Sequence, residues 1–119
     1  MRITPMQAPT AETRKASDMA VYVDDMAAKV RMRDGRTFVF CHMVADSEAE
    51  LHAMADRIGV RRKWYQYPEK SRYPHYDITL SKRALAISEG AIEISQRQAP
   101  AISRRCRDEI HARAKAAIA

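Results

Sequence analysis

The chain is poor in glycine and cysteine and has no long apolar run, and each shortage excludes something. Three glycines in 119 residues cannot supply a phosphate-cradling glycine loop or a dinucleotide fingerprint, and neither a nucleophile elbow nor an HExxH helix is present. The two cysteines, Cys41 and Cys106, lie far apart with no C-x-x-C or zinc-ribbon spacing, so a reducing, cytoplasmic setting without a disulfide framework is expected. No stretch approaches the roughly 20 apolar residues needed to cross a bilayer, and Met1–Asp18 has no apolar signal-peptide core. A membrane partner is therefore not expected.

What is there is enough for one domain: 46% of residues are hydrophobic, and a chain of this length buries roughly two-thirds of its unfolded surface. Charge is uneven. Residues 57–83 carry eight basic and two acidic side chains and residues 97–119 carry six and two, whereas residues 1–56 are net acidic. Such a distribution attracts phosphate without bearing on fold, and it equally describes a solvated surface.

Residues 1–18, with Pro5 and Pro9 and no apolar period, read as a flexible N-terminal extension ahead of one domain over 19–119. Ala20–Val23 reads as a strand ending at Asp24-Asp25, and Thr37–Val44 as a second strand after the Asp34-Gly35 turn signal. Ser47 and Glu50 form a capping box for a helix carrying Leu51, Met54, Ala55 and Ile58, which Gly59 stops. Val60–Pro74 is basic, aromatic and proline-bearing, as surface loops are. His75–Leu80 reads as a strand, Ser81 as the cap of a helix over Lys82–Glu89, Ala91–Ser95 as a strand, and 97–119 as a basic C-terminal helix starting near Pro100. Strands separated by helices predict a small single-domain α/β sandwich with a mixed sheet of about four strands and three helices.

In open α/β sheets ligands gather beyond the carboxyl ends of the strands, and polar residues crowd those positions here. Asp24, Asp25 and Asp46 are candidate metal ligands, His42, His75 and Asp77 candidate ligands or proton-transfer groups, and Lys82 with Arg83 a candidate phosphate clamp. Carboxylates and imidazoles without thiolates suit Mg²⁺ or Mn²⁺, and Zn²⁺ less well. His75 and Asp77 stand two apart, so on a strand they share one face. Each residue has a plainer reading: Asp24-Asp25 as turn chemistry, His42 beside Phe38 and Phe40 as a hydrogen-bonded core histidine, His75–Asp77 as a surface hydrogen bond. His52, with Glu48 and Asp56 four residues to either side, reads as a solvated helix pair and is left out. Cys41 precedes His42 but faces the opposite way, which argues against a thiol-imidazole dyad. Trp64, Tyr65 and Tyr67 among Arg61, Arg62, Lys63 and Lys70 form either a stacking platform for a base or a pin for a long loop.

The segments Val21-Tyr22-Val23-Asp24-Asp25, Cys41-His42-Met43-Val44-Ala45-Asp46, Glu50 to Val60, Trp64-Tyr65-Gln66 and His75-Tyr76-Asp77 through Ser81-Lys82-Arg83-Ala84-Leu85 together resemble the short bacterial and phage proteins known as domain of unknown function four thousand and thirty-one. The resemblance covers about residues 20 to 100 and implies that Asp24, Asp25, His42, Asp46, Trp64, His75, Asp77, Lys82 and Arg83 fall on motif positions. It implies no activity. Residues 27–36 and 67–74 are more divergent than the usual pattern, and the N-terminal extension is not part of it.

Two functions are expected. One is divalent-metal-assisted hydrolysis of a nucleotide or nucleic acid. The other is a non-catalytic phage or prophage accessory role in binding nucleic acid, a nucleotide or a protein. The stripe Ala99, Ile102, Cys106, Ile110, Ala114 on the last helix would suit a homodimer.

Overall fold

The computed structural model describes residues 20–118; the expected extension over 1–18 lies outside them. The β-branched and aromatic run Val21-Tyr22-Val23 forms β1 (Val21–Val23), and the alternating segment Thr37–Ala45 forms β3, a nine-residue strand. Between them lies β2 (Ala28–Arg31), a strand absent from the sequence expectation, which pairs with β3 across the Asp34-Gly35 turn. Ala-Lys-Val-Arg is short, half charged and mostly exposed, so no apolar period marks it. At the turn, Gly35 has φ 89°, a conformation that favours glycine.

β1 and β2 both run antiparallel to β3, with Val21↔Ala45 to Val23↔Met43 and Ala28↔Phe40 to Arg31↔Thr37 in register. One path of chain therefore follows β3 along most of its length and leaves the ladder only at residues 24–27. β4 (Tyr76–Thr79) is antiparallel to β3, and β5 (Ile92–Glu93) is parallel to β1. The mixed sheet has five strands, ordered β2-β3-β1-β5 with β4 joined to β3, where about four were expected.

The helices follow local signals. Ser47 caps α1 (Glu48–Ile58) by accepting the Glu50 N–H at 3.2 Å, and Gly59 ends it at φ 78°. α2 (Leu80–Ser88) begins earlier than expected because Thr79, not Ser81, is its cap, its hydroxyl accepting the Lys82 N–H at 3.4 Å. α3 spans Ala99–Ile118.

Strand periodicity divides the apolar residues between two faces. Val21, Val23, Met43, Ala45, Tyr76 and Ile78 pack against Leu51, Met54, Ile58 and Ala86 of α1 and α2. Tyr22 and Val44 pack on the other face against Ala99 and Ile102 of α3. The result is a three-layer α/β sandwich. Fully burying a side chain such as Leu51 stabilises it by roughly 1.5–3 kcal/mol, and α1 contributes Leu51, Met54, Ala55 and Ile58 to that layer. Among the described residues no helix is long and apolar enough to cross a membrane.

Candidate metal centre

The centre starts where β1 leaves the ladder. Asp24 still donates its N–H to the His42 carbonyl at 3.0 Å, but its side chain, wholly buried, takes over the next position. Oδ1 accepts the His42 N–H at 2.8 Å and the Met26 N–H at 3.1 Å, and Oδ2 lies 2.7 Å from His42 Nδ1. Three residues on, Ala27 adopts φ 52°, a left-handed conformation that lets the chain re-enter the sheet as β2. Burial alone would raise the Asp24 pKa, but the His42 ring and the two backbone N–H groups outweigh it and hold the carboxyl below its ordinary value.

A carboxylate can only accept, so His42 donates from Nδ1 and its Nε2 is turned to the opposite side. The hydrogen bond to Asp24, reinforced by the charges of Asp24 and Asp77, raises the His42 pKa against the effect of burial. Across the strand pair His42 is in register with Asp77 of β4, and such cross-strand side chains lie close enough to interact. Nε2 of His42 is 3.8 Å from Asp77 Oδ1. On the same face, just before β4, His75 has Nδ1 2.9 Å from the Tyr73 carbonyl, which likewise can only accept, and Nε2 3.4 Å from Asp77 Oδ1. The His75 ring, with its Nε2 facing the carboxylate, holds the Asp77 pKa below its ordinary value despite burial.

One ligand atom each from His42, His75 and Asp77 therefore falls within 4.8 Å of the others. Two donors bound to one ion at about 2.1 Å in a tetrahedron lie about 3.4 Å apart, which the 3.4 and 3.8 Å separations approach. Each imidazole has its second nitrogen tied to an oxygen, the arrangement that fixes orientation in metal sites. The cluster borders two cavities. His42 and His75 line one of about 360 Å³, closed by Tyr73 and by Pro100 and Ser103 of α3. Asp77 lines a groove of about 460 Å³. Arg107 lies 4.9 Å over the Tyr73 ring, and a hydrogen bond with Arg104, with the charges of Arg107 and Arg72, lowers the Tyr73 pKa.

The other sequence-predicted residues lie outside the three-residue cluster, although Trp64 and Lys82 line the groove that Asp77 borders. Asp25 accepts the Gln96 N–H at 2.7 Å and ties the segment before α3 to the end of β1. Asp46 follows β3 at its far end, roughly 13 Å along the strand from His42, where it accepts from Ala20 N–H at 2.9 Å and from the Tyr22 hydroxyl. Lys82 donates to the Ile58 carbonyl at 2.9 Å, at the carbonyl-rich end of α1. Arg83 donates to the Asp24 carbonyl at 2.8 Å and reaches Glu93 at 3.2 Å. Neither cation points into the cluster as a phosphate clamp. Trp64 lines the groove with Asp77 and is 49% exposed. Cys41 is buried, on the face opposite His42 as expected.

His52 corrects the sequence reading. The helical pair with Glu48 is present, Nε2 lying 4.0 Å from its carboxylate, but the ring is not solvated: Nδ1 is hydrogen-bonded to the Tyr76 hydroxyl at 2.7 Å, and the ring packs edge-on against Tyr65 at a centroid distance of 4.5 Å. Asp56 instead faces Arg62.

A family model described as protein of unknown function (DUF4031) matches residues 21–106. No curated protein and no solved structure matches the chain.

Proposed function

The chain belongs to the DUF4031 family, and we propose that it is a metal-dependent hydrolase of phosphate esters in which His42, His75 and Asp77 hold a divalent transition metal. The observation that carries this reading is the convergence of three donors within 4.8 Å with the far nitrogen of each imidazole already committed to Asp24 or to the Tyr73 carbonyl. Two imidazoles and one carboxylate favour Zn²⁺, Mn²⁺ or Fe²⁺ over Mg²⁺, which prefers oxygen donors. Asp25 and Asp46, the oxygens that a Mg²⁺ site would recruit, are engaged elsewhere.

A bound divalent ion would lower the pKa of water and polarise a phosphoryl oxygen. The chain supplies the rest. Asp24 keeps the proton of His42 on Nδ1 and the lone pair of Nε2 on the cluster side, and the Tyr73 carbonyl does the same for His75. Asp77 would add negative charge that partly balances a bound ion. Arg72, Arg104 and Arg107 gather around Tyr73, one of the residues lining the histidine cavity, and their positive charge favours an anionic substrate.

The test is thermal unfolding of metal-stripped protein against Zn²⁺, Mn²⁺ and Mg²⁺, together with hydrolysis of bis(p-nitrophenyl) phosphate. Saturation near 100 times Kd adds about 2.7 kcal/mol, so Tm should rise by about ten degrees or more with Zn²⁺ or Mn²⁺. Asp77→Asn should abolish both the shift and turnover while unfolding cooperatively. No shift with any ion, or a shift that Asp77→Asn retains, overturns the site.

A non-catalytic nucleic-acid binder is the second reading, favoured by the cavity lined by Lys70, Arg72, Arg107 and His111 between the loop and α3. It requires affinity for nucleic acid that falls steeply with salt and is unchanged in Asp77→Asn.

A further inference from the structure

The groove bordered by Asp77 is a different environment from the cavity lined by the histidines. Met26, Val30, Met32 and Phe40, from the β1–β2 connection and the hairpin, and the flat indole of Trp64 give it apolar walls. Its volume, about 460 Å³, is that of a site for one small molecule. Asp77 and Thr79 supply the polar groups at the β4 side, Gln66 adds an amide, and Arg61 lines the same space. Lys63 Nζ lies over the Trp64 ring, 5.0 Å from its centre, so one face of the exposed indole carries a cation and a base stacks on the other.

We propose that this groove is the nucleobase subsite of the hydrolase, with the base of a mononucleotide stacked on Trp64 and its phosphate directed to the His42–His75–Asp77 cluster. The inference rests on the metal-site reading, because Asp77 belongs to both. Three features select this occupant. A planar ring uses the indole face, and stacking on an aromatic side chain is tolerant of base identity. The polar rim of a base finds the Gln66 amide and the Thr79 hydroxyl. The anionic end of the same molecule is the part that a metal at Asp77 and the nearby Arg61 and Lys63 would attract. An acyl chain would fill the apolar walls but leave the polar end unused. A peptide or a nucleic-acid strand needs a trough longer than one small-molecule volume.

The chain has one tryptophan, so its fluorescence reports on this groove alone. Titration of the full protein with adenosine monophosphate should quench it saturably. Ribose 5-phosphate, which keeps the phosphate and lacks the base, should bind about tenfold or more weakly. By calorimetry, Trp64→Ala should erase that preference for the base and Trp64→Phe should retain it. Equal binding of the two ligands, no binding of either, or a preference undiminished in Trp64→Ala overturns the subsite. A short single-stranded oligonucleotide that binds about 100-fold more tightly than the mononucleotide also overturns it, in favour of a strand. Mn²⁺ uptake, measured on the same samples, separates the two claims. Uptake without base preference removes the groove assignment and leaves the metal centre, and base preference without uptake does the reverse.

Discussion

Two histidine networks lie back to back on β4, and their contrast shows what distinguishes a candidate site from a structural polar cluster. Tyr76 points to the α1 side and meets His52, whereas His75 and Asp77 point to the other side and meet His42. In the first, the His52 ring is wedged between Tyr65 and Tyr76, with Tyr65 in turn donating to Glu48 at 2.7 Å. Burial and the Arg62 charge lower the His52 pKa, and burial pushes the Tyr76 hydroxyl up to about 12. In the second, carboxylates surround His42 and raise its pKa, and two Nε2 atoms converge on one Asp77 oxygen beside open volume. The histidine that closes the packed core is biased toward its neutral form; the histidines gathered around carboxylates at a cavity are arranged for a cation.

The sharpest way to break the comparison is to remove one histidine from each network. His75→Ala should reduce Mn²⁺- or Zn²⁺-dependent phosphodiesterase activity by about 100-fold or more, since it deletes a metal ligand, and should leave the folded state cooperative. His52→Gln should leave activity within about threefold of the native protein and instead lower stability by about 1–3 kcal/mol, because the Tyr76 hydroxyl loses its buried partner. Activity assays and denaturant unfolding on both variants read the two effects separately. Equal activity losses would mean that the networks are not functionally distinct.

A smaller effect is expected one bond further from the metal. Asp24 is not itself a proposed ligand but fixes the ring of His42, which is. Asp24→Asn preserves the shape and places an amide, able to donate or accept, where a carboxylate stood. Metal affinity should fall by about 10–100-fold, the usual cost of losing an orienting partner. Stability should also fall, because Asp24 Oδ1 satisfies the His42 and Met26 N–H groups. Calorimetric Zn²⁺ titration checks the first and denaturant unfolding the second. An unchanged metal affinity would show that Asp24 only completes the sheet.

Much of this was legible in the sequence, and the failures have one physical source. α1 is visible because Ser47, Glu50 and Gly59 are local signals. The shared face of His75 and Asp77 follows from strand period two. What the residues could not reveal is strand direction and register. The reading grouped Asp46 with Asp24 by treating the ends of both strands as one edge of the sheet. Because β3 runs antiparallel to β1, with Val21 opposite Ala45, those ends lie at opposite edges. Register likewise puts Asp77 opposite His42, a pairing between positions far apart in the chain. The Tyr73 carbonyl that orients His75 is backbone and carries no side-chain signature. The Glu48 neighbour of His52 is legible from i,i+4 spacing, but the burial of the ring against Tyr76 is brought by tertiary packing and is not. β2 was missed because its four residues are mostly exposed.

The smallest expected effect separates the networks by the sign of their response to pH in metal-free protein. His52 has a folded-state pKa below its unfolded value of about 6.5. As pH falls below that value the unfolded chain takes up a proton that the folded one resists, so its contribution to stability is present above about pH 6.5 and is lost toward lower pH. His42 has its folded pKa raised, so its contribution is present below about pH 6.5 and is lost as pH rises through the folded value. Thermal unfolding followed from about pH 5 to pH 8 on the native protein and on His52→Gln should differ in slope on the acid side, with the variant less sensitive to acid. His42→Gln should flatten the alkaline side instead. Parallel curves for the native protein and His52→Gln would show that the ring takes up its proton as readily in the fold as in the unfolded chain, and the distinction between the two faces of β4 would then be one of cavity and geometry rather than of charge.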